Sequence, residues 1–570
     1  MSALRRGAVT IGILLLLVTF ATMQPADPGG TSAAQPAQRH TSTPANPTPA
    51  PAATTSGTAG AAPGEIRFTG APQPNPAALR RFYAQQVEWT RCADDRDFDC
   101  ARVAVPVDHE RPSGATIAIA LRRLPATSEH PRGTLFVNPG GPGGSGTDFV
   151  REPDLFGDDL RAAWDIVGFD PRGIGDSAGF DCLTDEELDA MYAADPTPAS
   201  AQGMELLEEA AAARAASCLQ RGGALAAKMG SEAVAADLDI LREAVGDERL
   251  NYYGVSYGTL IGAIYADRFT SRVGLMVLDS AVSPDGLDTA SVTQRDVDAN
   301  ARHWGTEFDA LFADFVEECG DRCPLGTDPG SAGAALVALL DSLEAVPLPT
   351  DFDSLPQVTE GWAVTAIGEG LLDPASWPYL VDALEAAIEG DGTELAWFAM
   401  VAVGRDVDGS YPGATFGKSH LPVTCADWPA RTWADLTPSR SVLEEHPLFG
   451  RIQPPLPSEC SGWTGTMRSN LLVGAEPATP ILVIGNEDDP VTPIEDTEYL
   501  AEMLVGSRLV TVDAVRHGAY AMGNACVDEV VEDYLARGLA PRDGLGCPAD
   551  WAAGRARWVE VRSAAPGVPN

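Results

Sequence analysis

One serine in this chain has surroundings that could make it react. Leu250-Asn251-Tyr252-Tyr253 reads as a strand, Gly254-Val255-Ser256-Tyr257-Gly258 as a tight turn, and Thr259 to Phe269 as a helix of small residues. Such a strand–turn–helix lifts a serine Oγ above a sheet. It needs glycine on both sides, because side chains there would collide with the neighbouring strand and helix. Ser256, so placed, could attack a carbonyl carbon. With 57 glycines in 570 residues, Gly-x-Ser-x-Gly can also arise by accident. Gly175-Asp176-Ser177-Ala178-Gly179 is such a case: the stretch after it, Phe180 to Asp185, is polar and does not read as a helix start packed on a sheet. Ser177 is therefore read as loop structure and Ser256 as the nucleophile.

A serine hydroxyl needs a base, and the base needs a carboxylate to hold its tautomer. Behind an elbow of this type the order along the chain is serine, acid, histidine. Of the seven histidines, His40, His109 and His130 precede Ser256, and His303, His420 and His446 fall in a helical stretch. His517 alone lies beyond the late strand that should carry the acid, in Val515-Arg516-His517-Gly518. The acid lies in Gly485-Asn486-Glu487-Asp488-Asp489-Pro490, where three carboxylates adjoin and residue chemistry does not choose among them. After the strand ending at Asn138 comes Pro139-Gly140-Gly141-Pro142-Gly143-Gly144-Ser145-Gly146. Glycines let backbone N–H groups approach a developing oxyanion, so Gly141 N–H and Tyr257 N–H are the expected donors. The run lacks the Gly-Lys-Ser/Thr ending of a phosphate loop and the phasing of a dinucleotide site.

These residues must be positioned by a sheet. Gly133 to Asn138, Asp165 to Phe169, Val273 to Asp279, Pro480 to Gly485 and Ser507 to Val512 read as buried strands alternating with helices, so a mostly parallel sheet with helices on both faces is expected. Ala101 to Pro106 and Thr116 to Arg122 alternate like an edge hairpin. From 288 to 465 the pattern turns helical. Apolar stripes run through Phe308, Leu311, Phe312, Phe315 and Val316, and through Trp377, Leu380, Val381, Leu384 and Ile388. This reads as a cap inserted before the last strands. The expected layout is a signal peptide (1–23), a Pro/Ala/Thr-rich disordered spacer or pro-segment (24–75), core (76–287), cap (288–465) and core again (466–570).

A net charge of −42 argues against nucleic acid or an anionic membrane surface as a partner. Arg5-Arg6 precede an apolar run from Ile11 to Phe20, short for a membrane span and typical of export; a membrane association is expected only if this segment stays uncleaved. Ten cysteines behind such a segment suggest disulfides. Pairing sequential neighbours gives Cys92–Cys100, Cys182–Cys218, Cys319–Cys323, Cys425–Cys460 and Cys526–Cys547. Cys319 and Cys323 have nearly the spacing of half a zinc site, but no second pair accompanies them, so no metal or other cofactor is expected.

Taken together, Asn138 to Gly146, Asp170-Pro171-Arg172-Gly173-Ile174-Gly175, Asn251 to Thr259, Asp489-Pro490-Val491-Thr492-Pro493, His517-Gly518 and the end (Cys526, Tyr534-Leu535, Gly538, Pro541, Cys547) resemble the secreted actinobacterial tripeptidyl aminopeptidases, relatives of the proline iminopeptidases with a TAP-like C-terminal region. The resemblance runs from Trp89 to Cys547. It implies an α/β-hydrolase fold, selects Asp489 as the acid, and implies release of short peptides, tripeptides in this family, from free N-termini outside the cell. Pro139 departs from the iminopeptidase branch, which has histidine there. An aminopeptidase must also hold the substrate ammonium at a fixed distance from Ser256; the cap acids Glu369, Asp373 and Asp427 are the candidates. The alternative is a secreted carboxylesterase using the same triad.

Overall fold

The computed structural model describes residues 64–549 apart from 67, 69–70, 153–154, 198–200, 285–292, 373, 413–415, 429–437, 453–459, 461 and 464–475. The expected signal peptide and most of the expected spacer lie outside the described residues, as does Asp373.

Ten strands form one sheet: β1 (Thr90–Arg91), β2 (Asp99–Pro106), β3 (Thr116–Leu124), β4 (Thr134–Asn138), β5 (Asp165–Phe169), β6 (Leu250–Val255), β7 (Val273–Asp279), β8 (Leu482–Asn486), β9 (Arg508–Val512) and β10 (Leu545–Cys547). Their spatial order is β10-β9-β8-β7-β6-β4-β5-β3-β2-β1. From β5 through β10 the neighbours run parallel, while β3 lies antiparallel to β5 and β2 to β3. The central strands carry near-continuous apolar runs because helices cover both faces: every residue of β4 and of β7 is buried. The helix Ser231–Val245 stops at Gly246, whose φ of 95° suits a left-handed cap, and the chain enters β6.

The approach of the loop after β4 to the sheet depends on two glycines. A Cβ on Gly168 of β5 would overlap Gly146 O, and one on Gly146 would overlap Phe169 O. Gly168→Ala is expected to cost about 3 kcal/mol by overpacking, read as a lower denaturation midpoint at an unchanged m-value.

The helical layer over the sheet departs from the expected single insertion. Helices at Gln294–Cys319, Pro329–Ala345, Glu360–Leu372, Trp377–Glu389, Thr393–Val403 and Phe416–Asp427 pack together, but Asp185–Ala193 and Ala201–Ala226, assigned to the core from sequence, join them. Tyr192 lies 5.4 Å from Trp362 and 6.4 Å from Tyr411 between ring centres. Arg405 grips Asp189 through Nε at 2.7 Å and Nη2 at 2.9 Å. A helix does begin after Phe180: Thr184 caps it reciprocally with Glu187, and its buried Leu188 and Tyr192 join the core shared with the cap helices.

The expected spacer also ends earlier than 75. Gly64–Glu65 pair antiparallel with Leu539–Ala540, and Arg272 donates to Gln73 O at 2.7 Å and Asn75 Oδ1 at 2.9 Å. Backbone pairing and a buried guanidinium order this stretch, which has little apolar surface of its own.

Four of the five expected disulfides close, at Cys92–Cys100, Cys182–Cys218, Cys425–Cys460 and Cys526–Cys547. Cys319 and Cys323 stay thiols. Burial, reinforced by a hydrogen bond with Cys323, pushes the Cys319 thiol up to about 12, which holds it in the form that does not attack disulfides.

Candidate active site

β6 runs straight into the helix Tyr257–Arg268 through Ser256, whose φ of 56° is rare for any residue with a Cβ. The flanking glycines are required sterically. A Cβ on Gly254 would stand 2.6 Å from Gly258 O, and one on Gly258 would stand 2.9 Å from Asn138 O. Ser256 N–H donates to Asp279 O at 2.8 Å, and Thr259 Oγ1 donates to Ser256 O at 2.6 Å, so the turn is held on both sides.

The loop after β9 brings His517 to the same edge of the sheet. Its Nδ1 lies 3.0 Å and 3.1 Å from the two oxygens of Asp489, which follows β8. Asp489 is buried, and Oδ1 accepts the Val491 and Thr492 N–H groups at 2.9 Å each while Oδ2 accepts Thr492 Oγ1 at 3.0 Å. An acceptor-only carboxylate places the proton on Nδ1 and leaves Nε2 with a lone pair. His517 Nε2 and Ser256 Oγ are both buried, and neither has a hydrogen-bond partner among the described residues. The two atoms that would exchange a proton are thus both left open.

The glycine run lies against the elbow. A Cβ on Gly140 would stand 2.5 Å from Val255 O and 3.1 Å from Ser256 Cβ. Gly140 N–H donates to Asn138 Oδ1 at 3.0 Å, so Gly141 N–H is the next donor along the run. Gly140 and Gly141 have φ of 91° and 115°. The run ends at Ser145, whose Oγ donates to Asp170 Oδ1 at 2.7 Å; Thr147 N–H reaches the same oxygen at 3.1 Å. Burial pushes the Asp170 carboxyl up, and the Ser145 hydroxyl and neighbouring amides draw it back. Arg172 is fully buried and clasps Asp237 at 2.6 and 2.7 Å. The Asp-Pro-Arg-Gly stretch thus braces the glycine loop, a role that its sequence alone did not reveal. Ser177 is buried in this brace with Oγ accepting Ala120 N–H at 2.8 Å, as expected of loop structure.

Of the expected cap acids, Asp427 is committed elsewhere. Its Oδ1 accepts Ser231 N–H at 2.8 Å, and its Oδ2 accepts Ser231 Oγ at 2.6 Å and Tyr257 OH at 2.8 Å. Burial raises it to about 6, with these hydroxyls and the amide pulling the other way. It ties the helix Phe416–Asp427 to the residue after Ser256, and the expectation that it holds a substrate ammonium is withdrawn. Glu369 is buried in the helix Glu360–Leu372.

A mostly parallel sheet with an elbow serine and a carboxylate-held histidine at its C-terminal edge is the architecture of the α/β-hydrolases, and the chain is a serine hydrolase. The family model described as "alpha/beta hydrolase fold" matches residues 133–319, and that described as "TAP-like protein" matches 446–547. The chain is 32% identical over 488 residues to the serine protease Hip1 of Mycobacterium tuberculosis, covering 81% of this chain and 91% of Hip1. It is 30% identical over 494 residues to the tripeptidyl aminopeptidase of Streptomyces lividans, covering 82% of this chain and 88% of the relative. Carboxylesterase B of M. tuberculosis is 33% identical over 488 residues, with 81% and 90% covered. The chain belongs to the tripeptidyl aminopeptidase family.

Proposed function

We propose that this serine hydrolase is an exported exopeptidase that releases short peptides, tripeptides foremost, from free N-termini. The observation that carries the chemistry is the His517–Asp489 contact at 3.0 Å beside a strained Ser256. His517 Nε2 takes the Ser256 proton as Oγ attacks the carbonyl carbon. Gly141 and Tyr257 N–H groups stabilise the tetrahedral oxyanion. His517 then protonates the departing amine, and water, deprotonated by the same nitrogen, hydrolyses the acyl-enzyme. Asp489 keeps the tautomer and balances the imidazolium charge.

Peptide specificity is supported by the tripeptidyl aminopeptidases of Streptomyces, and export by the four disulfides. No described helix is long and apolar enough to cross a membrane. Glu369 and Asp373 remain the cap acids for the substrate ammonium. A carboxylesterase is the second reading, favoured by the carboxylesterase B relatives.

The test compares a free-amine tripeptide anilide, its N-acetylated twin and a short acyl ester. Cleavage of the free-amine peptide with the acetylated twin about 100-fold slower is expected, a margin of the size seen when a buried charge loses its partner. Turnover of the ester with neither peptide cleaved would make the protein a carboxylesterase.

A further inference from the structure

Asp279, the last residue of β7, is fully buried, and nothing in the acyl-transfer chemistry calls for it. Its contacts connect both reacting side chains. Its carbonyl accepts Ser256 N–H at 2.8 Å. Its carboxylate spreads over the loop that carries His517: Oδ1 accepts Ala519 N–H and Oδ2 accepts Tyr520 N–H, each at 2.9 Å. Tyr253 OH, from β6, donates to Oδ2 at 3.0 Å. The next residue continues the pattern. Ser280 has φ of 53°, which turns its Oγ to accept Gly518 N–H at 2.9 Å. Three consecutive amides directly after His517 therefore end on two consecutive side chains, the last of β7 and the first beyond it. From the other flank, Asn486 at the end of β8 donates to Arg516 O at 2.9 Å and Gly518 O at 3.1 Å.

We propose that Asp279 and Ser280 are positioning residues that set the placement of the His517 imidazole relative to Ser256. The inference rests on Ser256 and His517 being nucleophile and base. β9 ends at Val512, so the amides of 518–520 have no ladder partner and would drift without acceptors. An acceptor bound to the same residue that anchors the nucleophile fixes the two reacting groups to one point of the backbone. A carboxylate offers a separate oxygen to each of the two amides, and a further lone pair to Tyr253 OH, which offsets its desolvation here. Burial pushes the Asp279 carboxyl up to about 6, against the pull of the Tyr520 amide, the Tyr253 hydroxyl, the Ala519 amide and His517. Asparagine would turn an N–H₂ toward one amide and displace the loop. A base displaced by about 1 Å costs on the order of 100-fold in rate, and the loss falls on the transition state more than on substrate binding.

The experiment measures Asp279→Asn and Ser280→Ala by two readouts: kcat and KM on whichever panel substrate the wild type cleaves, and the second-order rate at which a fluorophosphonate labels Ser256. Both rates are normalised to the folded fraction. Asp279→Asn is expected to lower kcat and the labelling rate about 100-fold with KM within about threefold. Ser280→Ala keeps the Cβ at the positive φ and removes one contact, so about a tenfold loss in the same two rates is expected. Either folded variant reacting at the wild-type rate, or losing rate only in proportion to its unfolded fraction, overturns the proposal. If Asp279→Asn does not fold, Ser280→Ala alone carries the decision. Failure of the underlying reading looks different: the wild type itself would resist labelling, or Ser256→Ala would keep turning over substrate.

Discussion

Ser256→Ala is expected to lower kcat about 10⁶-fold, the scale seen when a triad serine is removed, while the glycine loop and substrate binding still leave a residue of about 10³-fold over water. The fold should not suffer. Ser256 Oγ has no hydrogen-bond partner among the described residues, so alanine leaves no donor or acceptor stranded. Alanine keeps the Cβ, so the strain at φ 56° is unchanged. Thermal melting within a few degrees of wild type, with turnover of every panel substrate lost, is the expected pair of results. Retention of peptide or ester cleavage would place the nucleophile elsewhere.

Asp489→Asn is expected to lower kcat about 10⁴-fold through the tautomer of His517. Oδ1 of Asp489 accepts two backbone amides at 2.9 Å, and that double demand fixes which side of an asparagine must be oxygen. The N–H₂ is then turned toward His517 Nδ1 and Thr492 Oγ1, which lie 3.3 Å apart. That N–H₂, in the place of Oδ2 3.1 Å from Nδ1, competes with the retained oxygen at 3.0 Å and draws the ring toward the tautomer in which Nδ1 accepts, with the proton on Nε2, where it can no longer take one from Ser256. KM should change little, because the substrate meets the same surfaces. The matching measurements are kcat and KM across pH, together with the imidazole proton resonances, which should move from Nδ1–H to Nε2–H. A loss below tenfold would mean that another carboxylate holds the histidine.

The sequence alone pointed to Ser256 as the nucleophile and His517 as the base, in that order along the chain. Ser256 and His517 announce themselves through short-range signals: a glycine-flanked turn between an apolar strand and a small-residue helix, and a lone histidine beyond the last long strand. The sheet was equally plain, since buried parallel strands such as 134–138 and 273–279 are uninterrupted apolar runs. Residue chemistry left three adjoining carboxylates open, and only the family resemblance singled out Asp489. The tertiary structure adds a physical reason: Glu487 and Asp488 are exposed, while Asp489 turns inward onto two amides and His517.

Packing also assigned what no local pattern encodes. Asp427 read as a candidate for the substrate ammonium until Ser231 and Tyr257, 196 and 170 positions away, closed on it. The 185–193 helix joined the cap because Tyr192 found Trp362 and Tyr411, a choice that helical periodicity does not specify. Asp279 and Ser280 meet the loop after His517 across 240 and 238 positions. Turn chemistry and periodicity are properties of neighbours along the chain, so a sequence displays them directly. The partner of a buried carboxylate is set by which segments the folded sheet brings to one edge, and that is decided only when the chain has closed on itself.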